Sequence, residues 1–154
     1  MTFRITGLPA ASFTHLFALS DAELATRSAV RRITDDRPVY PCRVSLTDAA
    51  PGQPVILVHF EHHAVASPYR ASHAIYVREG EATYDAVDEV PDQLRRRLLS
   101  LRGFDANGMM TGADVIEGVA LEAAIAQLFS EPRARYLHVH FAKPGCYAAR
   151  VERA

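Results

Sequence analysis

The sequence predicts a single α+β domain over residues 1–154, a mostly antiparallel sheet with three or four short helices packed on it. Three observations carry that expectation. Short runs of alternating apolar and polar residues recur along the chain, punctuated by Gly, Pro and Asn-Gly breaks. Stretches with helical periodicity are few and brief. A length of 154 residues suits one sizeable core better than two half-sized ones.

Taken in order, Phe3 to Thr6 reads as an opening strand ended by Gly7 and Pro9. Phe13, Leu16 and Phe17 fall at i, i+3 and i+4 and predict one apolar helical face. Ser20-Asp21-Ala22-Glu23 is a capping-box sequence: the serine accepts from the N3 amide and the glutamate reaches back. It opens a second short helix to about Arg27. Ala29 to Ile33 reads as a strand and residues 37–41 as a proline-punctuated loop. Cys42, Val44 and Leu46 alternate with Arg43, Ser45 and Thr47, predicting a strand with the cysteine on its apolar face and Arg43 on its polar one.

After a turn over residues 48–54, Val55 to Phe60 is the most continuous apolar run, expected to be a central strand covered on both faces. Ser67-Pro68 breaks it, and Ala74 to Arg78 follows as a strand. Pro91 is placed as a first helical residue ahead of Leu94 and Leu98, with Arg95, Arg96 and Arg97 near that helix's C-terminal end. Leu99 to Phe104 and Met109 to Ile116 flank Asp105-Ala106-Asn107-Gly108, a hairpin signal because Asn-Gly tolerates positive φ. Leu121, Ala124, Ile125, Leu128 and Phe129 form the clearest amphipathic helix, stopped by Pro132. Tyr136 to Ala142 is a strand, Pro144-Gly145 a turn and Tyr147 to Val151 the returning strand.

Seventeen Lys and Arg against eighteen Asp and Glu leave a formal charge of −1, which offers no electrostatic footprint for nucleic acid or an anionic membrane. The only lysine, Lys143, precedes Pro144, so there is no phosphate-binding Gly-Lys loop. GxGxxG, GxSxG and HExxH spacings are absent, and no motif names a cofactor. The two cysteines form neither a disulfide framework nor a CxxC pair. The N-terminus lacks the basic-then-apolar run of a signal peptide, and no apolar stretch approaches the ~20 residues that span a bilayer. A soluble cytoplasmic protein is therefore expected. The sixteen arginines read mostly as a composition bias, and the seven histidines are the one chemically suggestive surplus.

Four groups of residues carry candidate chemistry. In His138-Val139-His140 the two imidazoles project to one strand face, with Leu137, Val139 and Phe141 on the other. Side by side they suit a divalent transition metal if further ligands converge. The plainer reading is two histidines on the wet face of an amphipathic strand. In the second group, His59, Glu61 and His63 share one strand face and Phe60 and His62 the other. The plainer reading there is a polar strand end at the rim of the sheet. Its His-x-Glu does not extend to a zinc deaminase signature, because Tyr147, Ala148 and Ala149 follow Cys146 without a second cysteine.

Pro68-Tyr69-Arg70 sets a hydroxyl donor beside a planar guanidinium fork suited to a carboxylate or phosphate, with Arg43 as a second fork. The plainer reading is an arginine tying a loop to backbone carbonyls. Of the cysteines, Cys42 reads as a small buried hydrophobe. Cys146 reads as a thiolate nucleophile or a ligand beside His140, and its sheet face depends on the length of the turn before it.

Pro41-Cys42-Arg43-Val44-Ser45-Leu46, His62 with Ser67-Pro68-Tyr69-Arg70-Ala71-Ser72, Gly108-Met109-Met110, His138-Val139-His140 and Pro144-Gly145-Cys146-Tyr147-Ala148-Ala149-Arg150-Val151 make a recognisable set. Together they resemble the bacterial family catalogued as domain of unknown function 1203, over nearly the whole chain. The resemblance implies no activity and no catalytic residues, but within residues 59–63 it singles out His62. The chain departs from the family pattern at His73, where the pattern has Gly, and at Phe141, where it has Asn.

The residues favour a small-molecule-binding protein or enzyme for an anionic ligand. Arg43, Tyr69, Arg70 and Tyr147 are the expected ligand-binding residues, and His62, His138, His140 and Cys146 the expected catalytic set. The arginines would orient the ligand, and a histidine titrating near neutrality would act as acid or base. A second expectation is a divalent-metal site on His138 and His140, completed by His62, Glu61 or Cys146. A third is a non-catalytic homodimeric module that uses the last strand as a free edge.

Overall fold

A computed structural model describes residues 1–37 and 39–154, and in it the alternating runs become nine strands in two antiparallel sheets. Pro38, in the loop expected over residues 37–41, lies outside the described residues. Six strands form the larger sheet: β1 (Phe3–Thr6), β5 (Asp85–Val87), β6 (Leu98–Phe104), β7 (Met110–Glu117), β8 (Tyr136–Phe141) and β9 (Tyr147–Arg153). Their order across it is β5-β1-β9-β8-β6-β7. The smaller sheet has the order β2-β3-β4, from β2 (Ala29–Ile33), β3 (Pro54–His63) and β4 (Ala71–Val77). The α-helices are α1 (Asp21–Ala25), α2 (Asp92–Arg95) and α3 (Leu121–Phe129), and three short 3-10 helices join them.

The amphipathic stripe of α3 buries Leu121, Ala124, Ile125 and Phe129 in one core with Leu99, Leu101, Leu137 and Val139 of the larger sheet. Each of the Leu, Ile, Val and Phe side chains contributes roughly 1.5–3 kcal/mol when fully buried. A second core joins Val58 and Ile75 of the smaller sheet to Phe13, Leu16, Leu24 and the ring of Tyr147. The larger sheet is therefore covered twice, and β8 is buried along its whole length. The capping box forms as expected: Glu23 N–H donates to Ser20 Oγ at 3.2 Å, and Ser20 N–H donates to Glu23 Oε2 at 2.7 Å. In the β6–β7 hairpin, Asp105 Oδ1 accepts from the amides of Asn107 and Met109, and Gly108 takes φ +74°. No helix among the described residues is long and apolar enough to cross a membrane.

Several expectations are corrected. Residues 42–47 are a folded turn, not an alternating strand: Leu46 N–H donates to Cys42 O at 3.1 Å, Cys42 N–H donates to Thr47 O at 2.9 Å, and Leu46 takes φ +54°. Cys42, Arg43, Val44 and Leu46 are all buried in consequence, so Arg43 is not on a polar strand face. The turn can lie against β1 because Gly7 has no side chain: a Cβ there would stand 2.1 Å from Val44 O. Pro91 caps α2 from outside, and Leu98 begins β6 instead of extending the helix. Phe13 and Leu16 are buried as expected, but their segment is a 3-10 helix over Thr14–Ala18.

β9 is not an edge. It pairs with β8 on one side and β1 on the other, with Ile5 opposite Val151. The strand that covers it comes from the far end of the chain, and local periodicity carries no information about that pairing. The free edge expected for a homodimer is thus already occupied.

Candidate functional site

The candidate site is a cleft between the two sheets, and a bulge in β3 makes it. Phe60 pairs with His73 but His63 pairs with Ala71, so one extra residue is absorbed between them and the alternation of β3 breaks. Before the bulge, His59 stays outside, its Nε2 2.9 Å from Ser72 Oγ. Glu61 also stays outside and accepts from Arg70 Nε at 2.7 Å. His62, within the bulge, and His63, just after it, both reach the larger sheet. His63 is therefore not a polar strand end at the rim: it is buried, with its ring 4.9 Å from that of His138.

His138 and His140 share one face of β8, as the i, i+2 spacing predicts. That face is not wet. The smaller sheet and Tyr147 cover it, and the two residues are 2% and 1% exposed. The His62 ring stacks on Tyr147, with centroids 5.3 Å apart and planes 15° apart. It meets His140 edge-on at 5.1 Å and lies 6.2 Å from His138.

Hydrogen bonds assign different duties to these rings. His63 Nδ1 donates to the Tyr69 carbonyl at 2.8 Å, and in that tautomer Nε2 accepts from the Tyr136 hydroxyl at 2.7 Å. With both nitrogens occupied, His63 braces the 67–70 loop against β8. His140 Nδ1 donates to Gly145 O at 3.1 Å, which leaves Nε2 as the acceptor. Nδ1 of His62 and Nδ1 of His138 are buried without a partner.

Burial also decides the charge. It lowers His62 to about 4, helped by the neighbouring His63 and Arg102. Burial lowers His140 to about 3, with Arg102 adding to the effect, and lowers His138 to about 2, with His63 and His140 adding. At neutral pH all three are uncharged imidazoles. Burial likewise pushes the Tyr147 hydroxyl up.

The cleft measures about 200 Å³, and its polar lining is His62, His63, His138, His140, Arg102 and Arg70, with Tyr69 at the mouth. Among the described residues no carboxylate lines it. Arg102 was not among the residues expected from the sequence. It stands opposite His138 in the β6–β8 register, and burial lowers its pKa. Among the described residues no carboxylate pairs with it. One signal was legible: Ser100 and Arg102 alternate with the apolar Leu99 and Leu101.

The expected pocket is divided in two. His62, His138 and His140 come together, and Tyr69 and the exposed Arg70 stand at their mouth. Tyr147 lies behind the rings and not in the lining. Arg43 and Cys146 are elsewhere. The β8–β9 connection runs through five residues, 142–146, and Phe141 N–H donates to Cys146 O at 2.9 Å while His140 stands opposite Tyr147. Cys146 therefore shares the Phe141 side of the hairpin, away from His138 and His140. There it lines a second cavity, of about 810 Å³, together with Arg43. The metal expectation finds no third ligand: among the described residues, no three of His, Cys, Asp and Glu are grouped to hold a metal ion.

Fold and site thus define a mostly antiparallel protein with an imidazole- and guanidinium-lined cleft between two sheets. The chain belongs to the family described as protein of unknown function (DUF1203), whose model matches residues 39–153, a span that includes every candidate residue named above. No curated protein and no solved structure matches the chain.

Proposed function

We propose that the protein binds a small anion, an oxyanion or a short carboxylate, in the cleft of His62, His138, His140 and Arg102, as a binding protein or as an enzyme. The observation that carries this reading is the lining: among the described residues, four imidazoles and two guanidiniums without a carboxylate. An incoming anion accepts from Arg102 and from the unpartnered ring nitrogens of His62 and His138, and charge-assisted bonds of that kind are the strong ones. Arg70, already paired with Glu61 at the surface, guides the anion at the mouth. The volume lies below that of sites for larger organic ligands, so the ligand is small. A neutral His140, its Nδ1 fixed on Gly145 O, keeps an Nε2 lone pair that accepts a hydrogen bond from a protonated ligand oxygen.

The test is titration of the protein with phosphate, sulfate and two- to four-carbon carboxylates, followed through the ring signals of the histidines by NMR. Saturable shifts at His62, His138 and His140 with one of these anions, weakened about ten-fold or more by Arg102→Gln, are expected. Ring signals that stay unmoved by the whole series refute the reading.

A further inference from the structure

The second cavity contains a contact that the histidine cleft does not use. Arg43 and Cys146, 1% and 6% exposed, both line it, and Arg43 Nη2 donates to Cys146 Sγ at 2.9 Å. The rest of the guanidinium is held by carbonyls: Nε donates to Tyr147 O at 2.7 Å and Nη1 to Pro41 O. Its Cζ lies 4.9 Å from the centre of the Phe141 ring. The backbone is pinned as well, with Arg43 N–H donating to Tyr76 O and Leu8 N–H donating to Arg43 O.

Among the described residues no carboxylate forms an ion pair with Arg43. A guanidinium does not give up its proton inside a protein, and a buried charge without a counter-charge is costly. Burial pulls the Arg43 guanidinium down and the Cys146 sulfur opposes that pull. Of the three groups that accept from it, the sulfur is the one that can carry a full negative charge.

The surroundings select the charge of a ligand. Among the described residues His73, Arg96, Arg97 and Lys143 line the cavity against one acid, Glu117. Arg97 is held by Asp48 at 2.9 Å and Arg96 by Asp92 at 2.6 Å, whereas no carboxylate among the described residues pairs with Lys143. The volume, about 810 Å³, is that of a site for an organic ligand.

We propose that Cys146 is the nucleophile of a second site, which captures an anionic small molecule bearing an electrophilic carbon, with Arg43 as the charge partner of the sulfur. The Cys146 thiol gives up its proton to solvent, a sulfur lone pair forms the S–C bond, the bond from that carbon to its leaving group breaks, and the electron pair departs with the leaving group. The basic side chains at the mouth draw in the anionic end of the molecule.

Iodoacetate and iodoacetamide present the same electrophilic carbon with and without a negative charge, and peptide mass spectrometry of the native protein separates Cys146 from the buried Cys42. Cys146 is expected to react about ten-fold faster than Cys42, and faster with iodoacetate than with iodoacetamide, the reverse of a thiolate without cationic neighbours. Lys143→Glu, at an exposed position, slows iodoacetate more than iodoacetamide and so removes the preference for the charged reagent. Arg43→Gln slows both reagents at Cys146; should that variant lose its cooperative thermal unfolding, Lys143→Glu decides. A Cys146 that reacts only on unfolding, or that takes the neutral reagent faster in wild type and Lys143→Glu alike, overturns the proposal.

Discussion

The His62 ring on β3 meets the His140 ring on β8 edge-on, with centroids 5.1 Å apart and planes inclined by 78°. This contact joins the two sheets through a pair of uncharged imidazoles. Burial keeps both rings uncharged near neutrality, and four consequences of the fold are open to measurement.

The first concerns acid. Folded His62, His140 and His138 titrate at about 4, about 3 and about 2, whereas in the unfolded chain each titrates near 6.5. Between those values the unfolded chain binds more protons, so stability rises with pH there. The contribution is complete above about pH 6.5 and is lost as pH falls toward the folded values. For the buried rings of His138 and His140 the slope is about 1.4 kcal/mol per pH unit each. The thermal midpoint should drop steadily from pH 6.5 to 4, and His140→Gln should flatten the drop. A midpoint constant over that interval contradicts the assignment of neutral buried rings.

Anion binding should take up protons. A bound anion favours the imidazolium form of the rings beside it, so affinity should rise as pH falls from 7 to 5. Calorimetry at pH 6 in two buffers of different ionisation enthalpy should give different binding enthalpies. Equal enthalpies would mean that no ring changes its protonation on binding.

Tyr136→Phe isolates the brace. The variant keeps the ring over which Arg150 sits at 4.0 Å but deletes the hydroxyl that donates to His63 Nε2. A buried acceptor left unsatisfied costs about 1–3 kcal/mol. Denaturant unfolding should show that loss, and amide exchange should quicken at Arg70, whose N–H donates to Ser67 O in the braced loop.

Gly7→Ala tests the turn that carries Arg43. The added methyl would stand 2.1 Å from Val44 O, which is backbone and not a side chain free to rotate away. Overpacking of this kind costs about 1–3 kcal/mol or more. Lower stability is expected, with faster exchange at the Leu8 amide that donates to Arg43 O at 2.8 Å. Unchanged exchange at Leu8 would show that the turn tolerates the methyl.

Local pattern determined much of this protein. Alternation in Leu137 to Phe141 placed His138 and His140 on one face, the 3.6-residue period of 121–129 placed α3, and Asn107-Gly108 placed the β6–β7 hairpin. Those features depend on neighbours within a few residues, so they are written in a few residues. Tertiary structure decided the rest. The wet or dry character of the histidine face depends on the sheet laid over it, and the edge status of β9 depends on β1 arriving from the other end of the chain. The bulge at His62 and the turn around Arg43 each abandon alternation to satisfy distant partners, Tyr147 and Cys146. A period-two pattern cannot report a residue that leaves the period, and that is why one expected pocket became two.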